Sequence, residues 1–327
     1  MKTKLICVIV VIISIIFAGG CGKKSATPSD SLSQPKLKVL ASVYPVYDFV
    51  RQVGGEKVDV SLLVPAGAEP HEWEPSAKDL IQVKNAKLFF YHGANFEHWL
   101  DKVTAKDVLG STTAIEVSKN IQLIEGSAHE HEHDGEEAKH GHANKHKEQP
   151  EKQELDPHVW LDPVLAQKEV LNIAEALAAA DAANADYYRA NAAKYNGELQ
   201  KLHEEYQAGL QNVKQRTIIT SHAAFGYLAA RYHLEQVAIM GLSPDAEPTP
   251  EKMADIINLC REKQVGYIFS ETIVSPKVAE TLAREAGAKV LVLHPIDALT
   301  PTEIQQGKNY LLLMRDNLVN LKLALGQ

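Results

Sequence analysis

Cysteine is nearly missing from this chain. There are three in 327 residues, and Cys7 and Cys21 stand at the extreme N-terminus, which leaves Cys260 alone in the body. A disulfide framework and a metal site built from several thiolates are both excluded. A basic surplus is absent too, since 34 Lys plus Arg face 42 Asp plus Glu for a formal charge of −8. That balance argues against nucleic acid as a partner. The most apolar run, Leu5 to Phe17, is shorter than the roughly 20 residues that a membrane-spanning helix needs. No His-Glu-x-x-His pair, no Gly-x-Ser-x-Gly elbow and no phosphate loop occurs, so the common hydrolase signatures are missing.

What is present is an ordinary globular composition, 45% apolar and 23% charged, in a chain long enough for two domains. Lys2 and Lys4 precede the apolar run, which ends in Ala18-Gly19-Gly20-Cys21. A basic start, a short apolar core and small residues before a cysteine read as a secretory signal over residues 1–20. The small residues before Cys21 resemble a bacterial lipobox, which implies lipidation of that thiol; Ala18 stands where leucine is usual. The alternative is an uncleaved anchor with a coincidental cysteine. On either reading the body works outside the cytoplasm, tethered to a membrane. Residues 21–36, rich in Ser, Pro and Lys, then form a flexible spacer.

From Leu37 onward, short β-branched runs alternate with helical patterns. Strands are expected at Lys38–Tyr44, Val58–Val64 and Ala86–Tyr91, and again at Arg216–Thr220, Gln236–Met240, Tyr267–Phe269 and Lys289–Leu293. Helical patterns cover Pro250–Lys263 and Pro276–Ala286. The alternation predicts two mainly parallel α/β domains, over residues 37–185 and 214–327. Between them, residues 186–213 contain no proline. Tyr188, Ala192, Tyr195, Leu199, Leu202, Tyr206, Leu210 and Val213 recur there every three or four residues, as on one face of a long connecting helix.

The chain has 14 histidines. Six of them, His129, His131, His133, His140, His142 and His146, fall in the stretch 128–147 among Glu, Gly and Lys. Without large apolar residues this stretch is expected to be a mobile loop. Its imidazoles and carboxylates would bind borderline metals such as Zn2+ weakly and exchangeably. A tight site needs residues on rigid elements. His71 follows the second expected strand, His158 precedes a helical segment, His222 lies past the strand ending at Thr220 and is expected to open a helix, and Asp297 follows the strand Lys289–Leu293. Open α/β sheets bind ligands beyond the carboxyl ends of their strands. Three nitrogens and a carboxylate, two from each half, would make a tetrahedral zinc shell across the interdomain cleft.

The segments Ser42-Val43-Tyr44-Pro45, Pro70-His71-Glu72-Trp73-Glu74-Pro75, Asp156-Pro157-His158-Val159-Trp160-Leu161-Asp162-Pro163, Ser221-His222-Ala223-Ala224-Phe225-Gly226-Tyr227 and Phe269-Ser270-Glu271 resemble the cluster A-I, or TroA-like, metal-binding lipoproteins of bacterial ABC importers. The resemblance runs from about Leu37 to the C-terminus. It implies two α/β domains joined by one long helix, with the metal in the cleft. The matching ligand positions are His71, His158, His222 and Asp297, with Asp297 either a direct ligand or a supporting residue. Glu271 matches a carboxylate that supports the site. His222 stands where manganese members carry a carboxylate, which together with the histidine-rich stretch points to Zn2+ rather than Mn2+ as cargo. The implied role is extracytoplasmic zinc capture by a non-enzymatic monomer, anchored through Cys21 and delivering to an ABC permease with its cytoplasmic ATPase. A manganese importer, a surface adhesin or zinc buffer, and an extracytoplasmic zinc hydrolase are the alternatives.

Overall fold

The computed structural model describes residues 35–126 and 154–326. The expected leader, Cys21 and the six histidines between His129 and His146 lie outside the described residues. In chain order the elements are β1 (Leu37–Ala41), α1 (Tyr44–Gly54), β2 (Val58–Leu62), α2 (Ala77–Asn85), β3 (Leu88–Tyr91), α3 (Leu100–Thr104), α4 (Lys106–Leu109) and β4 (Thr113–Glu116). After them come α5 (Pro163–Ala180) and α6 (Ala185–Leu210), then β5 (Thr217–Thr220), α7 (Gly226–Tyr232), β6 (Glu235–Ala238), α8 (Pro250–Glu262), β7 (Tyr267–Ser270), α9 (Lys277–Ala286), β8 (Lys289–Val292), α10 (Pro301–Gln305) and α11 (Tyr310–Ala324).

Among the described residues the strands make two four-stranded sheets, ordered β2-β1-β3-β4 and β6-β5-β7-β8, and every pairing within them is parallel. The protein is therefore a pair of parallel-sheet α/β domains, and the two sheets share one topology. In each, successive connections depart in opposite directions from the central pair, β1 with β3 and β5 with β7. That leaves a crevice beyond the carboxyl ends of the central strands, where such sheets take ligands. The central strands are buried on both faces: Leu88-Phe89-Phe90 and Thr217 to Thr220 are buried throughout, as expected when helices cover both sides of a sheet. β4 was not legible in the sequence. It is an edge strand with no buried residue and one large aliphatic side chain, Ile115, so it carries little of the signal that marks a strand.

Helix starts follow local chemistry. Proline occupies the first turn of α1, α5, α8 and α10, where its missing N–H costs nothing. Asp162 caps α5, Thr249 caps α8 and Asn309 caps α11 by accepting from backbone N–H groups of the first turn. α6 is the 26-residue connecting helix, about 39 Å long at 1.5 Å per residue. Its buried positions are Tyr188, Ala192, Tyr195, Leu199, Leu202, Tyr206 and Leu210; the helix ends at Leu210, and Val213 lies just beyond it. α1 and α5 pack on α6 from the first lobe, and α7 and α11 from the second. One continuous apolar core accordingly runs from Val39 through Leu199 to Leu325. A second core, around Ile219, Ile256, Ile268 and Leu282, fills the far side of the second sheet. Among the described residues no helix is long and apolar enough to cross a membrane.

Candidate metal centre

His158 sits in the middle of Asp156-Pro157-His158-Val159, with φ −79° and ψ 45°. The Val159 N–H donates to the Pro157 carbonyl at 2.7 Å, which makes an inverse γ-turn with His158 at its apex. Asp156 Oδ1 accepts from the His158 backbone N–H at 2.8 Å and from its ring Nδ1 at 2.9 Å. A carboxylate can only accept, so the ring proton is on Nδ1 and the Nε2 lone pair points outward. His222 is built the same way two residues past β5. Glu271 Oε1, just after β7, accepts from His222 Nδ1 at 2.7 Å and from its backbone N–H at 3.2 Å. The His222 carbonyl accepts from Thr220 Oγ1 at 2.8 Å. His222 does not open a helix as expected. α7 begins four residues later, at Gly226, because the intervening backbone is committed to contacts such as Ala223 N–H to the Gly241 carbonyl at 2.8 Å.

His71 reaches the same point from the loop after β2, where its N–H donates to Glu69 Oε1 at 3.0 Å and its ring packs edge-on against Phe96. The Nε2 atoms of His71 and His158 are 3.3 Å apart, and those of His158 and His222 are 3.4 Å apart. A tetrahedral ion with Zn–N bonds of about 2.0–2.1 Å requires N···N edges of about 3.3–3.4 Å. Two of the three spacings among these imidazole nitrogens therefore match the edge of a tetrahedral shell, and all three atoms lie within 4.8 Å of one another. His158 and His222 are fully buried, whereas His71 is partly exposed.

A second group overlaps the first. Glu69, His71 and Asp297 each bring a ligand atom within 4.8 Å of the others. Asp297 is held on the loop after β8, where its Oδ1 accepts from the Ala298 N–H at 2.8 Å and its carbonyl accepts from the Tyr44 N–H at 3.2 Å. The preceding Ile296 has φ +62°, a left-handed conformation that β-branched residues rarely adopt; strain of this kind concentrates at functional sites. The structure thus brings together His71, His158, His222, Asp297 and Glu271. Sequence reasoning missed the part played by Asp156, although its position two residues before His158 is the spacing of an Asx turn. It also gave Glu69 no place beside Asp297.

Burial, followed by the repulsion of neighbouring imidazoles, drives His71 and His158 well below the ordinary histidine range. Neutral imidazole is the ligand form. Burial also pulls His222 down, but Glu271, Asp297 and Glu69 outweigh it and hold its pKa up at about 9. Burial and the nearby Glu69 carboxylate push Asp297 well above the usual carboxylate range. Among the described residues the groups that meet here are imidazoles and carboxylates, a donor set that suits a divalent cation.

The family described as zinc-uptake complex component A, periplasmic (ZnuA) matches residues 39–324. The zinc-binding protein AdcA of Streptococcus pyogenes is 40% identical over 293 residues, which are 90% of this chain and 57% of that protein. The chain thus spans a little over half the length of that relative. The high-affinity zinc uptake system protein ZnuA of Bacillus subtilis is 40% identical over 308 residues, covering 94% of this chain and 93% of that one. Among solved structures, the Zn(II)-bound ZnuA-like domain of Streptococcus pneumoniae AdcA superposes with a TM-score of 0.73 at 38% identity, over 90% of this chain and all of that domain.

Proposed function

The chain belongs to the zinc-uptake component A family, and on that premise we propose that it captures Zn2+ outside the cytoplasm and hands it to an ABC-type permease driven by a cytoplasmic ATPase. The observation that carries the reading is the pair of 3.3 and 3.4 Å contacts among three imidazole Nε2 atoms, the edge length of a tetrahedral zinc site. His71, His158 and His222 are the nitrogen ligands and Asp297 supplies the fourth, oxygen ligand, with Glu69 beside it. Asp156 and Glu271 orient two of the three rings, and such outer partners raise the basicity of the ligands they hold.

Zinc is the cargo favoured by this donor set. Three imidazoles suit a borderline ion, whereas manganese prefers sites richer in oxygen. Four protein ligands would close the shell and leave no position for a hydrolytic water, so the reading is capture, not catalysis. The histidines of residues 128–147 would raise the local zinc concentration as weak auxiliary ligands, and lipidation at Cys21 would keep the monomeric body at the membrane. Residues 37–185 and 214–327 would act as the two halves that grip the ion, with residues 186–213 connecting them.

The test is metal content and competition on the chain without residues 128–147. Mass spectrometry of protein purified without added metal should show one retained Zn2+, and excess Mn2+ should not displace it. Protein that loads manganese in preference to zinc would overturn the zinc assignment; protein that binds neither would overturn the capture function.

A further inference from the structure

A buried histidine paired with a buried glutamate lies outside the ligand set. His92 follows β3 at the switch point of the first sheet, and its ring is fully buried. Nε2 is 2.6 Å from the Pro157 carbonyl oxygen, and Nδ1 is 3.1 Å from Glu169 Oε1 on α5. Glu169 is also buried, at 1% exposure, and among the described residues neither its oxygens nor His92 Nδ1 has a hydrogen-bond partner, so the two groups meet as an ion contact at 3.1 Å. Nε2 thus faces a carbonyl that can only accept, and Nδ1 faces a carboxyl group that only accepts when it is ionised. An imidazole with two acceptors carries a proton on each nitrogen. A buried carboxylate with no other compensation is costly unless a cation stands beside it.

The Pro157 carbonyl that His92 grips is the acceptor of the γ-turn with His158 at its apex. Any shift of that oxygen rotates the turn and moves His158 Nε2 relative to its neighbours. The ring of His92 is itself fixed, packed edge-on against Trp160 at 4.7 Å and 88°. Its backbone N–H donates to Glu97 Oε1 at 2.7 Å, and that same oxygen accepts from Ser42 Oγ at 2.6 Å. The carbonyl is thus tied to the ends of β1 and β3 through one side chain.

We propose that His92 and Glu169 form a buried imidazolium–carboxylate pair that positions the ligand His158 by holding the Pro157 carbonyl. This rests on the zinc-capture reading above. Burial works against the charge on His92, but Glu169 and Glu97 outweigh it and leave its pKa above the ordinary value. The charge also makes the contact with Pro157 a charge-assisted bond, shorter and stronger than a neutral one. Glu169 in turn offsets a positive charge that would otherwise repel the captured cation.

The experiment uses the whole chain and its His92→Phe variant, which keeps a ring against Trp160 but has no donor. Zinc dissociation into excess chelator should be about 10-fold faster in the variant, the lower end of what outer-shell changes cost, with circular dichroism unchanged. A folded variant that releases zinc within twofold of the parent overturns the proposal, even if it melts earlier. If His92→Phe does not fold, the double change His92→Leu with Glu169→Leu removes the donor and the stranded carboxylate together; it should release zinc about 10-fold faster than the parent, and release within twofold of the parent overturns the proposal. A second readout needs no metal. In 15N-histidine spectra of the metal-free parent at neutral pH, the His92 ring should show two protonated nitrogens, and Glu169→Gln should reduce this to one; a single protonated nitrogen in the parent refutes the ion pair. A parent that binds no zinc fails the capture reading instead and leaves this spectral test standing.

Discussion

Replacing His158 with alanine separates the metal site from the fold most cleanly. His158 Nε2 is 3.3 Å from one neighbour and 3.4 Å from the other, so its loss removes both of these close contacts and leaves two nitrogens at the site. Structural zinc sites bind with about 10–16 kcal/mol. Shared over four ligands, one is worth about 2.5–4 kcal/mol, a factor of about 10²–10³ in affinity. The cost to folding is smaller. Asp156 keeps the backbone N–H of residue 158 at 2.8 Å, and the space vacated by the ring adjoins the partly exposed His71 side, where water can enter. Loss of one buried hydrogen bond and some ring packing amounts to about 1–3 kcal/mol. Competition against a chromophoric chelator gives the affinity, and thermal unfolding of the metal-free variant gives the stability. A folded variant that binds zinc within 10-fold of the parent would remove His158 from the coordination shell and refute the convergence argument.

Three other perturbations have definite outcomes. Deleting residues 128–147 should leave one tight zinc equivalent and abolish only weaker binding in a calorimetric titration, because the tight ligands lie on other elements; loss of the tight equivalent would contradict that division. Gly226→Ala should weaken zinc binding without touching a ligand, since a Cβ there would lie 2.5 Å from Asp156 Oδ2 and push the carboxylate that orients His158; unchanged chelator competition would show that Asp156 can shift freely. Burial tends to raise the pKa of Glu303, but the contact with His294 and the Thr300 N–H more than offset this and hold it down at about 2. A depressed carboxylate stabilises the fold fully above its ordinary value of 4.5, and that contribution is lost as pH falls through about 2. Glu303→Gln should therefore lower stability to denaturant at pH 6 and make little difference near pH 2; equal stability of both forms at pH 6 would contradict the pairing.

The fold was largely legible because its signals are local. Val, Ile and Leu runs mark the central strands, and the inward face of α6 repeats every three or four residues, so all seven buried positions from Tyr188 to Leu210 could be read from spacing. The candidate ligands were legible for a related reason: each stands just past a strand or at a turn, where α/β sheets present chemistry. What escaped was either weakly patterned or set by tertiary contact. β4 has no buried residue. The 18-residue α5 is so rich in alanine and aliphatic residues that its buried face hardly differs from its other side. The pairing of His222 with Glu271 spans 49 residues, and that of His92 with Glu169 joins a strand end to a helix interior. Spacing does not encode such contacts. The start of α7 at Gly226 rather than His222 was hidden likewise, since a contact to Gly241 decides it.

The central claim, that three imidazoles from both halves of the chain meet on one zinc ion, is tested most directly by X-ray absorption at the zinc edge. The sample would be the chain without residues 128–147, loaded with one equivalent of Zn2+. The expected result is a four-coordinate shell containing three imidazole nitrogens at about 2.0–2.1 Å, completed by oxygen. A six-coordinate shell dominated by oxygen, or one with fewer than three imidazoles, would contradict it.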